Sequence, residues 1–525
     1  MNFFNRAIRN VTRKPAKSVL LAITFFVIGN LVIIGLGISS SSENAKTLTR
    51  KQMRAIVNYE GDYESFYNYV DTMEDMDERE EAYKNPPNVT VEDANKFMQD
   101  ERVVAMSYLK QGIGYSSGFE HVPVGNDREN NMGGTSCFVD DEGNEQCQEY
   151  SEPNITIVGS MSDKMIETYE ETYKVTQGRF YNQDEIDSGA YVCVITEELA
   201  AQNGLSVGDT ISFTNNDKNT VKRMEEAGFE TDGIIGEFEI VGIYNNKNEV
   251  NPNSPNFSYM SPFENPKNYI LMPLSTYAEW QCYSSNLANK YYAEAYGWDD
   301  YSTEEVDMYY MVSKVSLLLN DPLNVEQFVE DHKGNLKEYM KLSTDNDTFE
   351  KLARPLDTLS FFANIIVWIV TINAIIIISL VTALTLKTRE SEIGVLLSIG
   401  VSKAVVILQL FTELAMVAFF GFILATATGI GAAGWVGDKV LEFQQSSEIG
   451  NIDDNNSGGS YYYGSDDYFT EITQADILSQ YHVEISPIII VEIYVIGLFV
   501  VFISIMIPSV MIMRLNPKQI LLSTN

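Results

Sequence analysis

The chain has 525 residues, 45 % of them hydrophobic and 21 % charged, and 36 Lys and Arg against 73 Asp and Glu give a formal charge of −37. Nucleic-acid phosphates are bound by clustered Lys and Arg, so this balance argues against a nucleic-acid partner. The three histidines, His121, His332 and His482, lie too far apart for a short-spaced metal motif, and no G-x-x-x-x-G-K-[ST] loop is present to cradle nucleotide phosphates.

Residues 1–17 place Phe4, Ala7, Ile8 and Val11 at i, i+3, i+4 and i+7, with Arg6, Arg9 and Arg13 elsewhere on the wheel and Pro15 after the run. This spacing predicts a helix lying in the inner membrane interface, its bases toward anionic lipid headgroups. A disordered basic start is the alternative.

Four apolar runs, 19–38, 358–386, 404–437 and 493–513, mark candidate spans over 18–38, 356–386, 404–437 and 485–513. A helix needs about 20 residues to cross a hydrocarbon core, so each run suffices. The first is too long for a signal-peptide core and lacks a small-x-small cleavage site, so it is read as a retained span. Glu413 sits inside the third run, where an acid is costly and is functional by default. Its place near the inner end of that run favours a packing or interface role over proton transport.

Residues 39–355 are enough to bury a separate core. Thr90 is a candidate N-cap for a helix containing Phe97, and 191–195 reads as a buried strand followed by a helix capped by Thr196. Gly208-Asp209 turns into a strand at 210–213, and 237–244 alternates as a strand. A strand at 310–319 stops at Asn320-Asp321-Pro322, and 325–340 reads as an amphipathic helix. Strands and helices mix without a βαβ rhythm, which predicts α+β. The expected fold is therefore four transmembrane α-helices with an α+β extracellular domain inserted between spans one and two.

Cys137 and Cys147 bracket nine residues and can form a disulfide, or remain as two free thiols. Cys193 lies within a strand and reads as a small buried hydrophobe. The acidic clusters at 71–81, 140–145 and 453–467 lack the order of a Ca²⁺ loop and read as solvated faces. Gly114 to Gly118 matches G-x-S-x-G without the required strand, helix or triad partners, so Ser116 is not read as a nucleophile. No catalytic residue and no metal ligand is assigned.

Orientation follows the bases. Residues 1–17, the link 387–403 and the tail 514–525 together hold 10 Lys and Arg and 2 acids, whereas 39–355 holds 25 and 58, and the loop 438–484 holds 1 and 10. The positive-inside bias predicts cytoplasmic termini and link, with the acidic segments outside. That acidic outer face favours a cationic extracellular peptide or protein as the molecule it meets.

The link runs Arg389-Glu390-Ser391-Glu392-Ile393-Gly394-Val395-Leu396-Leu397-Ser398-Ile399-Gly400-Val401-Ser402-Lys403. It resembles the R-x-x-E-I-G-x-L-x-x-x-G-x-S-K signature of the FtsX/MacB-type permeases of ABC transport systems. Gln409 to Glu413, the terminal Arg514-Leu515-Asn516-Pro517, Gly178-Arg179-Phe180, 205–210 and 238–243 are similar to further family motifs. The 438–484 loop, with Tyr461, Tyr462 and Tyr463, is longer than the family's usual link between spans three and four. The resemblance implies a bacterial plasma-membrane permease, a homodimer or heterodimer with a second permease, served by a separate cytoplasmic ATP-binding subunit. ATP and Mg²⁺ would belong to that subunit, with no cofactor on this chain.

In the family's terms Arg389, Glu390, Glu392, Ile393, Gly394, Leu396, Leu397, Gly400 and Lys403 carry the coupling to the ATPase. Ile393, Leu396, Leu397 and Gly400 share one helical face, as an interfacial docking helix requires. Export of a peptide or amphiphile is the first expectation. Mechanical activation of a partner such as a cell-wall hydrolase, lipoprotein extraction, and a four-span receptor or adhesin without ATP are the alternatives.

Overall fold

The computed structural model describes residues 3–13, 15–124, 134–139, 145–252, 260–296, 303–448, 474–483 and 485–514, together with Phe257, Tyr468 and Phe469. The chain divides into two compact units, one holding the spans and the other holding residues 54–345 and the short piece around Tyr468.

In the first unit, α1 (Phe3–Arg13) precedes α2 (Pro15–Gln52), a single helix of 38 residues. At 1.5 Å per residue that is about 57 Å, well beyond a hydrocarbon core of about 30 Å. Residues 39–52, expected in the inserted domain, therefore continue the first span.

Within the inserted domain, β1 (Ile56–Gly61) is followed by α3 (Tyr63–Val70), α4 (Met76–Lys84) and α5 (Val91–Phe97). Thr90 caps α5, its hydroxyl accepting from the Asp93 amide at 3.2 Å. Strands β2 (Val103–Ser107), β3 (Leu109–Ser117), β4 (Thr135–Val139), β5 (Glu145–Glu149) and β6 (Ile155–Ser160) come next. Then come β7 (Tyr173–Gly178), β8 (Val192–Thr196), β9 (Thr210–Thr214), β10 (Gly236–Asn246), β11 (Tyr269–Pro273) and β12 (Lys314–Leu319). Helix α6 (Val325–Lys333) and β13 (Met340–Thr344) complete the domain. Helix α7 (Asn346–Thr388), α8 (Glu390–Ser398), α9 (Lys403–Glu448) and α10 (Pro487–Arg514) belong again to the spanning unit.

Among the described residues, four helices are long and apolar enough to cross a membrane: Pro15–Gln52, Phe349–Thr388, Lys403–Gly437 and Pro487–Val510. They meet through small residues, as helices do in lipid where close backbone approach replaces the hydrophobic drive. A Cβ on Gly421 would stand 2.7 Å from Phe25 Cβ, so only glycine lets α9 lie this close to α2. Thr428 donates to Asn30 at 3.0 Å across the same contact. Near the C-terminal end of α2 and the N-terminal end of α7, Lys46 pairs with Asp357 at 2.8 Å and the Ser39 and Ser360 hydroxyls bond at 2.8 Å, tying the two helices together.

The inserted domain holds two sheets. One is antiparallel, ordered β13-β1-β12-β2, with Tyr59, Phe97, Leu317 and Phe328 in its core. The other is mixed, ordered β7-β10-β8-β11-β6-β3-β9, and closes on itself because β10 also pairs with β9. Closure leaves fewer free strand edges. Phe213, Phe238 and Trp280 fill its core, with Phe213 and Phe238 stacked at 4.4 Å.

Two sequence expectations are corrected here. The helix expected over 325–340 stops at Lys333, and 340–344 is a strand that pairs with β1. Sheet hydrogen bonds to β1 outweigh the weak helical preference of that segment. The strand expected over 310–319 starts at Lys314, because Val306–Tyr310 is a short helix.

Cys137 and Cys147 face each other across the β4–β5 hairpin and are joined in a disulfide, which removes the free-thiol alternative. Cys193 is fully buried, and burial pushes its thiol up. Most of the 438–484 loop, including Tyr461 to Tyr463 and the 453–467 acidic cluster, lies outside the described residues. Tyr468 of that loop is buried in the core of the antiparallel sheet. Its hydroxyl donates to Glu167, and its carbonyl accepts from Arg54 at 2.7 Å.

Gly178 and Gly242 pair across β7 and β10. A Cβ on Gly242 would lie 2.1 Å from the Arg179 carbonyl oxygen, which is backbone and cannot yield. Gly242→Ala is expected to destabilise the inserted domain by about 1–3 kcal/mol, the usual cost of overpacking. Protease resistance of the domain in the full chain, followed against temperature, checks this; an unchanged profile contradicts the close approach.

Candidate functional site

The basic ends of the spans carry a polar cluster built from three helices and a turn. Helix α7 ends at Thr388, and Arg389 stands in the turn before α8 with φ −112°. Gly400, at φ +94°, ends the link with a left-handed turn that an L side chain rarely adopts. The chain then enters α9 at Lys403, which puts Gln409 and Glu413 one turn apart on one face.

Glu413 is the centre. One carboxylate oxygen accepts from Arg389 at 2.9 Å and from Asn10 Nδ2 at 2.7 Å, while the other accepts from Gln409 Nε2 at 3.0 Å. Arg389 also donates to Glu392, from Nε at 2.9 Å and from a terminal nitrogen at 3.3 Å. Its side chain is 5 % exposed and that of Glu413 12 %. Burial works against the charged guanidinium, but Glu392 and Glu413 outweigh it and hold Arg389 above its ordinary pKa. Lys17 donates to Thr385 beside this cluster, and Lys17, Thr385, Arg389 and Glu413 line one small cavity with Asn10.

The cluster joins α1, the α7–α8 turn, α8 and α9. A buried acid in a span is thereby neutralised by a specific partner, and its remaining lone pairs are used. The arrangement is an electrostatic clamp that fixes the link to the spans.

Among the sequence-predicted residues, the clamp brings together Arg389, Glu392 and Glu413. Ile393 is buried against Leu386, Val406 and Leu410, with Leu397 packed beside them. Gly394 is buried as well. The face that the sequence joins is thus turned in part onto the chain's own spans. Leu396 is half-buried, Glu390 is half-buried and Lys403 is exposed. The apolar residues of α8 and its end left open are Val395, 45 % exposed, and Ile399, 75 % exposed.

Asn10 was not singled out in the sequence. It lies on α1 between the fully buried Ala7 and the partly buried Val11. Phe4 and Ile8 of the expected apolar face are largely exposed, while Ala7 is fully buried.

The charge pair makes a direct prediction. Arg389→Gln leaves Glu413 buried without its cation, at an expected cost of about 3–5 kcal/mol. The double substitution Arg389→Met with Glu413→Leu removes both charges and should recover most of that loss. Thermal unfolding of the detergent-purified chain reads both; equal losses for the single and double variants contradict the pairing.

Two family models match the chain: the MacB-like periplasmic core domain over residues 19–333 and the FtsX-like permease C-terminal region over residues 364–517. An uncharacterized ABC transporter permease of Bacillus subtilis (strain 168), YclI, is 25 % identical over 435 residues, covering 82 % of this chain and 80 % of that protein. Among solved structures, the periplasmic region of MacB from Actinobacillus actinomycetemcomitans aligns at 10 % identity and a TM-score of 0.26, covering 57 % of this chain and 92 % of that one. The extracellular domain of the noncanonic ABC-type transporter YknZ from Gram-positive bacteria aligns at 12 % identity and a TM-score of 0.26, covering 55 % of this chain and 100 % of that one.

Proposed function

The chain belongs to the FtsX/MacB-type ABC transporter permeases, and we propose that it couples ATP hydrolysis on a separate cytoplasmic subunit to movement of its inserted domain. Both termini and the link lie in the cytoplasm in this reading, as the Lys and Arg distribution favours. The observation that carries it is the clamped link: α8 is fixed to α9 by the buried Arg389–Glu413 pair while Val395 and Ile399 remain exposed. A force applied to that exposed face would act on the spans rather than on a loose loop.

Chain connectivity supports transmission to the other end. Only residues 53–55 separate α2 from β1, and only Asp345 separates β13 from α7. The two connections enter neighbouring strands of one sheet, since β1 and β13 pair directly. Short connections into one hydrogen-bonded ladder carry displacement with little slack. The permease works as a dimer, with itself or with a second permease, and exports a peptide or amphiphile. Driving an extracellular partner such as a cell-wall hydrolase would use the same coupling.

Val395→Asp with Ile399→Asp should abolish co-purification of the cognate ATPase and leave membrane insertion intact. Retained ATPase binding contradicts docking on this face. Gly394→Trp is a poorer probe, because Gly394 is buried and the substitution would unseat the link itself. Orientation is tested separately with single cysteines read by an impermeant thiol reagent on intact cells: Asn335→Cys should label and Ser402→Cys should not. The reverse pattern overturns the orientation and the coupling with it.

A further inference from the structure

Helix α4 buries none of its residues. Met76 is 71 % exposed and Tyr83 43 % exposed. A nine-residue helix without a core-facing stripe has little to stabilise it on its own. It is held by aromatic rings. Tyr63 and Tyr67 stack with centroids 6.3 Å apart, and Tyr67 and Tyr83 stack at 5.7 Å. Beside them Tyr69 stacks on Tyr339 at 5.6 Å. Tyr67 and Tyr69 are 38 % and 50 % exposed.

Two features set this face apart from ordinary surface. Tyr339 adopts φ +56°, a strained conformation for a bulky residue that brings its ring to the array. The surroundings are acidic, with nine Asp and Glu against two bases between residues 62 and 85. The face also shows how it holds a cation. The Arg79 guanidinium lies 5.9 Å from the Tyr83 ring centroid and donates to Asp71 at 2.5 Å, and Asp71 also accepts from the Tyr83 hydroxyl at 2.7 Å.

We propose that the tyrosine face of α3, α4 and Tyr339 is a docking surface for an arginine- and lysine-rich polypeptide segment. The partly exposed rings supply contact area at low entropic cost, and the surrounding carboxylates offer charge complementarity. The face is spread along two helices rather than enclosed, which suits a chain segment better than a small cation. The proposal concerns the inserted domain and does not depend on how the spans are driven.

The test uses the full chain in nanodiscs without nucleotide and a fluorescein-labelled (Arg-Ala)6 peptide, with (Glu-Ala)6 as control. Tyr67→Ala with Tyr69→Ala should weaken binding of the basic peptide about tenfold, as the loss of the exposed contact area of both rings implies. Tyr169→Ala with Tyr283→Ala, removing tyrosines exposed by 59 % and 52 % elsewhere on the domain, should leave it within about twofold. Glu78→Gln, Glu80→Gln and Glu81→Gln, on a helix with no buried residue, should weaken binding and flatten its salt dependence without changing thermal unfolding. Equal effects of the two tyrosine pairs, tight binding of the acidic peptide, or undiminished binding in both α3–α4 variants would overturn the assignment. A changed oligomeric state in those variants with unaltered peptide binding would make the face an interface between copies and equally overturn it.

Discussion

The spanning unit is organised around one buried charge pair. A carboxylate at Glu413 in a helix of otherwise apolar residues is unstable unless a cation neutralises it and hydrogen bonds use its remaining lone pairs. Arg389, Asn10 and Gln409 do both. Satisfying one acid therefore recruits α1, the turn after α7 and the start of α9 to a single point. The link helix is held beside this pair, and Ile393 packs there against Leu386, Val406 and Leu410. Replacing the pair by apolar residues would preserve packing and lose the geometric specification that a directional, multidentate bond supplies.

A second constraint comes from the solvent. Inside a hydrocarbon core backbone groups must bond internally, so the spans are helices, and nothing in that requirement ends them at the membrane surface. Helix α2 runs on to Gln52, and α7 begins at Asn346. The result is a pair of helical extensions bonded through Lys46–Asp357 and Ser39–Ser360. They connect by very short segments to β1 and β13, adjacent strands of one ladder. The inserted domain reduces its own free sheet edge by closing β10 onto β9. Its acidic tyrosine face is built on α3, which buries only Phe66 and Val70, and on α4, which buries nothing.

Much of this was legible in the sequence, and the physical reason is periodicity. Apolar runs of span length and the Thr90 and Thr196 caps are local signals that hold in the structure, and the alternation expected in β10 holds as far as Ile240, after which Val241 to Tyr244 are all buried. The Arg389-to-Lys403 motif and Glu413 were both visible as residue types at unusual places. Their contact was not, because 24 residues and a helix-turn-helix separate them and only the packing of α9 against the link brings them together. The same limit hid the contact of Asn10 with Glu413.

What the sequence alone determined is the class of molecule: four spans, an acidic α+β domain between the first two, and a basic link. Those follow from hydropathy, charge and short-range pattern, which depend on neighbours along the chain. Tertiary structure decided which residues share a site. It turned Ile393 inward and left Val395 and Ile399 exposed, although all three are apolar residues of one short segment. It converted 340–344 from a helical tail into a strand, because β1 offered a ladder of hydrogen bonds that no local propensity anticipates. It drew Tyr468 from a distant polar loop into the core beside Glu167. Local periodicity cannot report these outcomes, because each is set by burial and by hydrogen-bond satisfaction between segments far apart in sequence.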